Sequence, residues 1–149
     1  MRDGNVKIID ISKKPASLRE ATVQARIRLR AQTIKLIQDK KIQKGDVLTV
    51  AQCAGILAAK RVDELVPLCH PLPLEYVGIS FQLKKNVIVI TARCKTKAKT
   101  GVEMEAMIAS SIAALTIYDM CKYIDRGAVI EEIKLLEKKG GKSGHYKRA

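Results

Sequence analysis

Aromatic residues are scarce in this sequence, which has no tryptophan, one phenylalanine and four tyrosines among 149 residues. Sheets that bind RNA usually present aromatic side chains on which bases stack, so this shortage disfavours an RNA-binding module. Long apolar runs are also missing, since none approaches the roughly 18 residues needed to span a bilayer. The N-terminal segment 1–10 lacks the apolar core of a signal peptide. We therefore expect a cytoplasmic protein with no nucleic-acid partner and no membrane partner.

Cysteine and histidine are few and widely spaced. The chain has four cysteines and two histidines, at Cys53, Cys69, Cys94, Cys121, His70 and His145. No pair forms a CxxC motif, and two histidines leave few ligands for a zinc site. The sequence therefore predicts free thiols, and it predicts no metal held by the protein.

Acidic residues are outnumbered, because 28 lysines and arginines face 15 aspartates and glutamates and give a net charge of +13. Such a chain attracts polyanions, which means nucleic acid or a phosphorylated small molecule. A third interpretation is a solvated, ion-pairing surface. The apolar fraction is ordinary, and the length fits one domain over 1–149. We expect its N-terminus (about 1–6) and its C-terminal tail (about 139–149) to be mobile.

Hydrophobic periodicity predicts the elements of the first half of the chain. Residues 21–31 alternate between small or aliphatic and polar side chains, which indicates a strand with one buried face. The SLRE segment at 17–20 instead matches a helix capping box, but eleven alternating positions outweigh it. Residues 33–41 predict a short helix. Asp46 is placed to cap a second helix that continues to about Arg61.

The second half predicts a hairpin of strands at 77–83 and 87–93, a long helix over about 102–124 and a strand at 128–136. The long helix is apolar nearly all round, so we expect it to be largely buried. The order is strand, helices, strand, strand, helix, strand. This order is typical of an α+β, ferredoxin-like (split βαβ) fold, an antiparallel sheet with helices on one face.

The long helix carries charged residues in apolar surroundings. Asp119 and Lys122 lie three residues apart and so share one helical face. They form either a structural ion pair or an acid–base pair, which burial and a close partner would tune. Glu103 and Glu105 open the same helix. They either stabilise its N-terminus through the dipole or hold the guanidine edge of a guanine-like ring.

Two loops also carry functional candidates. The prolines of the VPLCHPLP segment at 66–73 stiffen the backbone around Cys69 and His70, which suits a binding site. The GGKSG tail at 140–144 is not a P-loop, because Leu136 stands where the motif requires glycine and no helix follows. The tail is either a mobile phosphate-binding flap or a frayed terminus.

Six segments together resemble the cyclic pyranopterin monophosphate synthase (MoaC) family in the same order along the chain. They are IIDISKK at 8–14, KGDVLTVAQCAGILAAKR at 44–61, LVPLCHPLPL at 65–74, KTGVEMEAM at 99–107, LTIYDMCK at 115–122 and LLEKKGGKSG at 135–144. The resemblance implies a ferredoxin-like domain assembled as a homohexamer, a trimer of dimers, with sites at the dimer interface. It also implies a substrate, the 3′,8-cyclo-7,8-dihydro derivative of GTP, which an upstream radical SAM GTP cyclase supplies. The implied products are cyclic pyranopterin monophosphate and pyrophosphate.

The resemblance also assigns roles to residues of this sequence. It implies that Asp119, Lys122 and Lys44 are catalytic. It implies that the substrate is bound by Leu68, Cys69, His70, Met104, Glu105, Lys60, Arg19 and Lys138. It implies no protein-bound cofactor, and it leaves open whether Mg²⁺ accompanies the substrate triphosphate.

Overall fold

A computed structural model describes residues 4–142 and 144–149 and contains one five-stranded antiparallel sheet in the order β2-β3-β1-β4-β5. Its strands are β1 (Ser17–Arg28), β2 (Tyr76–Leu83), β3 (Val87–Ala98), β4 (Val129–Lys139) and β5 (Tyr146–Lys147). The helices are α1 (Ala31–Gln38), α2 (Val47–Ala59), α3 (Val62–Leu65) and α4 (Glu103–Cys121). The order of the first four strands is the ferredoxin-like one, with antiparallel β3 between β1 and β2. The predicted α+β fold is therefore confirmed.

The central strand β1 explains why the alternating pattern predicts a strand. It pairs with β3 over its whole length, from Ser17 opposite Ala98 to Arg28 opposite Val87, and with β4 on its other side. Every second side chain from Ala21 to Ile27 is buried beneath the helices, and the side chains between them are more open. The SLRE segment lies inside β1, because pairing with β3 already satisfies its backbone.

The helical layer depends on a close approach of α2 and α4. A Cβ added at Gly55 in α2 would lie 2.6 Å from the carbonyl oxygen of Ala109 in α4. Lys44, just before α2, bonds to Asp119 near the end of α4, so the two helices are antiparallel. Asp46 caps α2 as predicted, because its side chain accepts the Thr49 N–H at 3.2 Å.

The prediction that the long helix is largely buried is only half right. One face of α4 packs on β1 and β3, but Leu115 is 52% exposed on the other face. Beside it, α2 leaves Val50 and Leu57 exposed. By length and composition, α4 is the one helix in the described part of the chain that could cross a bilayer. Its packing on the sheet is that of a core helix.

Several element ends differ from the prediction, because the sheet extends where the alternating pattern weakens. Strand β3 continues to Ala98 and β4 to Lys139, since each pairs with β1 over that length. The short strand β5 pairs with β4 inside the C-terminal tail, where the sequence predicts no strand. The opposite face of the sheet carries ion pairs such as Arg28–Glu131 and Arg93–Glu20.

Candidate active site

The three residues predicted to be catalytic meet at the C-terminal end of α4. The Lys44 ammonium donates to Asp119 Oδ2 at 2.8 Å and to the Asp119 carbonyl oxygen at 3.1 Å. The Lys122 ammonium lies 2.8 Å from Asp119 Oδ1. The two carboxylate oxygens of Asp119 therefore each hold one ammonium group. We call these three residues the Asp119 cluster.

Local structure fixes Lys44 in place. Buried Ile42 anchors its loop, and the Gly45 N–H closes a turn onto the Ile42 carbonyl with a positive φ at Gly45. The neighbouring Gln43 N–H donates to the Tyr123 hydroxyl at 2.9 Å, which ties this loop to the residues after α4. The KGD segment and the end of α4 therefore form one rigid junction.

The Asp119 cluster is more exposed to solvent than the apolar sequence around it suggests. The side chains of Lys44, Asp119 and Lys122 are each about half exposed, because the end of α4 reaches the molecular surface. Hydrogen bonds from Lys122 and then Lys44 lower the pKa of Asp119 to about 2, and the same pairing raises the pKa of Lys122. Asp119 is thus ionised at neutral pH, and its contact with Lys122 favours the protonated form of that lysine.

A cleft lies at the opposite end of α4 and has two adjoining parts. One part, of about 310 Å³, is lined by Leu68, Cys69, His70, Met104 and Glu105; we call it the Glu105 pocket. The other, of about 610 Å³, is lined by residues including Arg19, Lys99, Lys138, Lys139 and Lys142; we call it the basic pocket. Four residues line both parts: Lys14, Thr100, Gly101 and Glu103. The two pockets are therefore continuous.

Among the carboxyl groups that line the cleft, Glu105 has the most strongly shifted pKa. Only 3% of it is exposed, and its Oε2 has no hydrogen-bond partner within residues 4–142 and 144–149. Burial, and then the charges of Glu103 and Asp63, raise its pKa to about 7. Burial also raises the pKa of Cys69, and Glu105 adds to that shift. The Glu105 pocket is therefore lined by a buried carboxyl group, one oxygen of which has no hydrogen-bond partner in the described residues.

The walls of the basic pocket are built around Arg19. Its Nε is buried and has no partner in the described part of the chain. Gly140 and Gly141 pack on it with positive φ angles of 99° and 78°. A Cβ would run into the Leu18 carbonyl at Gly140 and into the Arg19 guanidinium at Gly141. The Leu18 carbonyl leaves no room for a side chain at Gly140, and both positions have φ angles that favour glycine.

The remaining cations of this end differ in position. The Lys138 ammonium lies 2.8 Å from Glu103 Oε1, inside the basic pocket. Lys60 is the C-cap of α2 and is exposed at the same end of the helical layer, but it lines neither pocket. Sequence reasoning missed Lys14 and Lys99 as lining residues, although both fall inside segments that carry the family resemblance.

Within one chain, the predicted site residues form two groups that lie far apart. Glu105 lies in the first turn of α4 and Asp119 in its last, which at 1.5 Å per residue places them roughly 20 Å apart. Within the described residues there is no group of three or more His, Cys, Asp or Glu side chains that could hold a metal ion. The four cysteines are free, as the sequence predicts.

Comparison with known proteins connects both groups to one family. The model of the MoaC family matches residues 8–141, a range that contains the Asp119 cluster and nearly all of the cleft. The chain is also similar to a cyclic pyranopterin monophosphate synthase from Peptoclostridium acidaminophilum. The two are 49% identical over 145 residues, which cover 97% of this chain and 92% of that relative.

Proposed function

Since the chain belongs to the MoaC family, we propose that it is a cyclic pyranopterin monophosphate synthase, a lyase of molybdenum cofactor biosynthesis. The reaction converts (8S)-3′,8-cyclo-7,8-dihydroguanosine 5′-triphosphate to cyclic pyranopterin monophosphate and releases pyrophosphate. The observation that carries the proposal is the Asp119 cluster, where two ammonium groups contact one carboxylate within segments that the family shares.

The cleft fits the two ends of this substrate. The basic pocket offers Arg19, Lys138, Lys139 and Lys142 to the triphosphate. The N-terminus of the 19-residue helix α4 opens into the same pocket, and its free N–H groups favour anions. The Glu105 pocket is smaller and less charged, and it suits the purine-derived ring. The two pockets adjoin, as the two ends of one ligand require.

Glu105 gives the ring a specific contact. A guanine-like ring presents neighbouring N–H donors, and a carboxylate accepts two such donors at once. The unsatisfied Oε2 of Glu105 is costly in the free protein and is compensated when a ligand donates to it. Cys69 and His70 line the same pocket and complete the proposed ring contacts together with Leu68 and Met104.

The Asp119 cluster supplies the proton transfers. Opening the purine, closing the pyran ring and forming the cyclic phosphate each move protons among carbon, nitrogen and oxygen. Lys44 and Lys122 carry the protons to be donated, and ionised Asp119 accepts one when an ammonium group turns to the substrate. Each such transfer contributes roughly 10²–10⁴-fold to the rate. The cations of the basic pocket neutralise the departing pyrophosphate.

We propose that the working assembly is a homohexamer, a trimer of dimers, with each site shared between two chains. The roughly 20 Å between the two groups of residues supports this proposal, because the Asp119 end of one copy can then complete the cleft of another. The exposed apolar residues of α2 and α4 also support association, since such patches mark interaction surfaces. They include Val50, Leu57 and Leu115.

Further parts of the proposal concern the cellular setting. We propose that the enzyme works in the cytoplasm and takes its substrate from an upstream radical SAM GTP cyclase. The cleft is dominated by ammonium and guanidinium groups, which bind phosphate directly. We therefore propose that the protein holds no metal of its own, and that any Mg²⁺ arrives on the triphosphate.

The direct test is turnover. Purified protein at micromolar concentration is mixed with the cyclised GTP substrate, and products are separated by chromatography while pyrophosphate is assayed enzymatically. We expect cyclic pyranopterin monophosphate and pyrophosphate in equal amounts. Absence of both products under conditions in which a known synthase is active would overturn the proposed function.

A further inference from the structure

The N-terminal segment 9–14 forms a strap along the cleft. At one end, His70 Nε2 lies 2.8 Å from the Ile9 carbonyl oxygen. At the other end, the Lys99 ammonium donates to the Ser12 carbonyl oxygen at 2.8 Å. Between these two anchors, the Ser12 N–H donates to Asp10 Oδ1 at 2.8 Å. The strap therefore has a defined conformation, although it belongs to no helix or strand.

The strap ends in a turn that fixes the position of Lys14. The Lys14 N–H donates to the Ile11 carbonyl oxygen at 3.0 Å, two residues beyond the Ile9 anchor. Ile9 and Ile11 line the Glu105 pocket, and Lys14 lines both pockets. Lys14 is the only cation among the four residues common to the two pockets. No carboxylate of the described residues lies within 4 Å of the Lys14 ammonium. The Lys138 ammonium, in contrast, pairs with Glu103.

The order of groups in the proposed substrate determines what lies beside Lys14. With the ring in the Glu105 pocket and the terminal phosphates in the basic pocket, the sugar and its attached phosphate must cross the shared wall. We infer that Lys14 binds the phosphate next to the sugar and that Lys99 positions Lys14 through the strap. This inference rests on the proposed function and deepens it. The phosphate concerned is the one that the product retains, because the two outer phosphates leave together as pyrophosphate.

The position of Lys14 distinguishes a specific phosphate contact from general electrostatic attraction to the basic surface. A cation at the shared wall contacts a group common to the substrate and to the cyclic product. A cation that lines the basic pocket alone, such as Lys142, is placed for the part of the substrate that leaves as pyrophosphate. Lys13 is the neighbouring exposed lysine and lines neither pocket. The chain thus offers a matched control of the same charge one residue away.

The experiment compares Lys14→Gln, Lys14→Arg, Lys142→Gln and Lys13→Gln in the full-length assembled enzyme. Steady-state kinetics give kcat and KM, and inhibition by the cyclic monophosphate product and by pyrophosphate gives two inhibition constants. We expect Lys14→Gln to lower kcat/KM and to raise the inhibition constant of the cyclic product by about tenfold to a hundredfold, the worth of a charged hydrogen bond. We expect its inhibition constant for pyrophosphate to stay within about twofold of the wild type. Lys142→Gln should raise the inhibition constant of pyrophosphate and leave that of the cyclic product near the wild-type value. Lys14→Arg keeps the charge, so it should retain most of the activity that Lys14→Gln loses. Lys13→Gln should match the wild type.

Lys99 is tested by a double-mutant cycle. If Lys99 acts through Lys14, Lys99→Met should reproduce the loss of Lys14→Gln in part, and the double variant should be no worse than Lys14→Gln alone. Additive losses would overturn the positioning role of Lys99. Equal behaviour of Lys14→Gln and Lys13→Gln, or equal weakening of product and pyrophosphate, would overturn the assignment of Lys14 while wild-type turnover stands. A wild-type protein without turnover would remove the proposed function and this assignment together.

Discussion

Glu105 and Asp119 lie on the same helix but at its opposite ends, roughly 20 Å apart along α4. Glu105 is buried with a pKa near 7, and Asp119 is half exposed with a pKa near 2. Burial sets the pKa of Glu105, and two neighbouring ammonium groups set the pKa of Asp119. A single helix therefore carries two groups of residues with different chemistry, which is why we propose that one site draws on two chains.

Mixing two inactive variants tests this sharing of the site. Asp119→Asn removes the first group, and Glu105→Ala removes the second. A dimer that contains one chain of each type has one doubly damaged site and one intact site. After the two variants are unfolded, mixed in equal amounts and refolded, we expect activity of roughly a quarter of the wild type by random pairing. Each variant refolded alone should stay inactive, and an inactive mixture in which mass spectrometry finds mixed dimers would contradict the shared site.

Replacement of Asp119 by asparagine should separate catalysis from folding. Asp119 sits at the surface, where ion pairs contribute little to stability, so the unfolding temperature should stay near that of the wild type. Turnover should fall by at least about 100-fold, because the amide cannot accept a proton. Asp39→Asn changes an exposed aspartate outside the site and serves as the control. Normal turnover of Asp119→Asn would remove this residue from the mechanism.

Glu105 should make the folded protein less stable as pH rises. Its pKa is about 7 in the folded protein and close to 4.5 when unfolded, so folding favours the protonated form. The free energy of unfolding is then highest below pH 4.5 and decreases as the pH rises to about 7. A shift of this size corresponds to somewhat over about 3 kcal/mol in total, of which roughly 2–3 kcal/mol is lost between pH 5 and pH 8. Urea denaturation between pH 5 and pH 8 should show Glu105→Gln gaining that amount relative to the wild type. Glu64→Gln, at an exposed position on α3, should follow the wild-type curve.

Much of this architecture follows from local patterns. The alternation of small and aliphatic residues from Ala21 to Ile27 predicts β1, because the central strand has one face beneath the helices. Asp46 predicts the start of α2 for a reason that the structure confirms, namely capping of the Thr49 N–H. The close spacing of Asp119 and Lys122 predicts their contact, since residues three apart meet on a helix.

Other features depend on contacts between distant segments, which periodicity does not encode. The strap reaches His70 and Lys99 across 61 and 87 residues, so no local signal marks Lys14 as part of the cleft. The exposure of Asp119 is also not evident from the sequence, because apolar residues around it do not reveal that the helix end reaches the surface. The pKa of Glu105 likewise results from burial in the folded chain, which the sequence around it does not reveal.

The exposed apolar face of the helical layer gives the last prediction. Leu57 on α2 and Leu115 on α4 are 58% and 52% exposed, although both lie within apolar helices. Burial of a leucine side chain contributes about 1.5–3 kcal/mol, so a glutamate at either position should weaken a contact between chains. We expect Leu57→Glu and Leu115→Glu to reduce the mass measured by light scattering relative to the wild type, with unchanged circular dichroism. Val6→Glu, at an exposed site outside the helical layer, should keep the wild-type mass. A wild-type mass near 16.5 kDa, that of one chain, would contradict assembly through this face and the shared site with it.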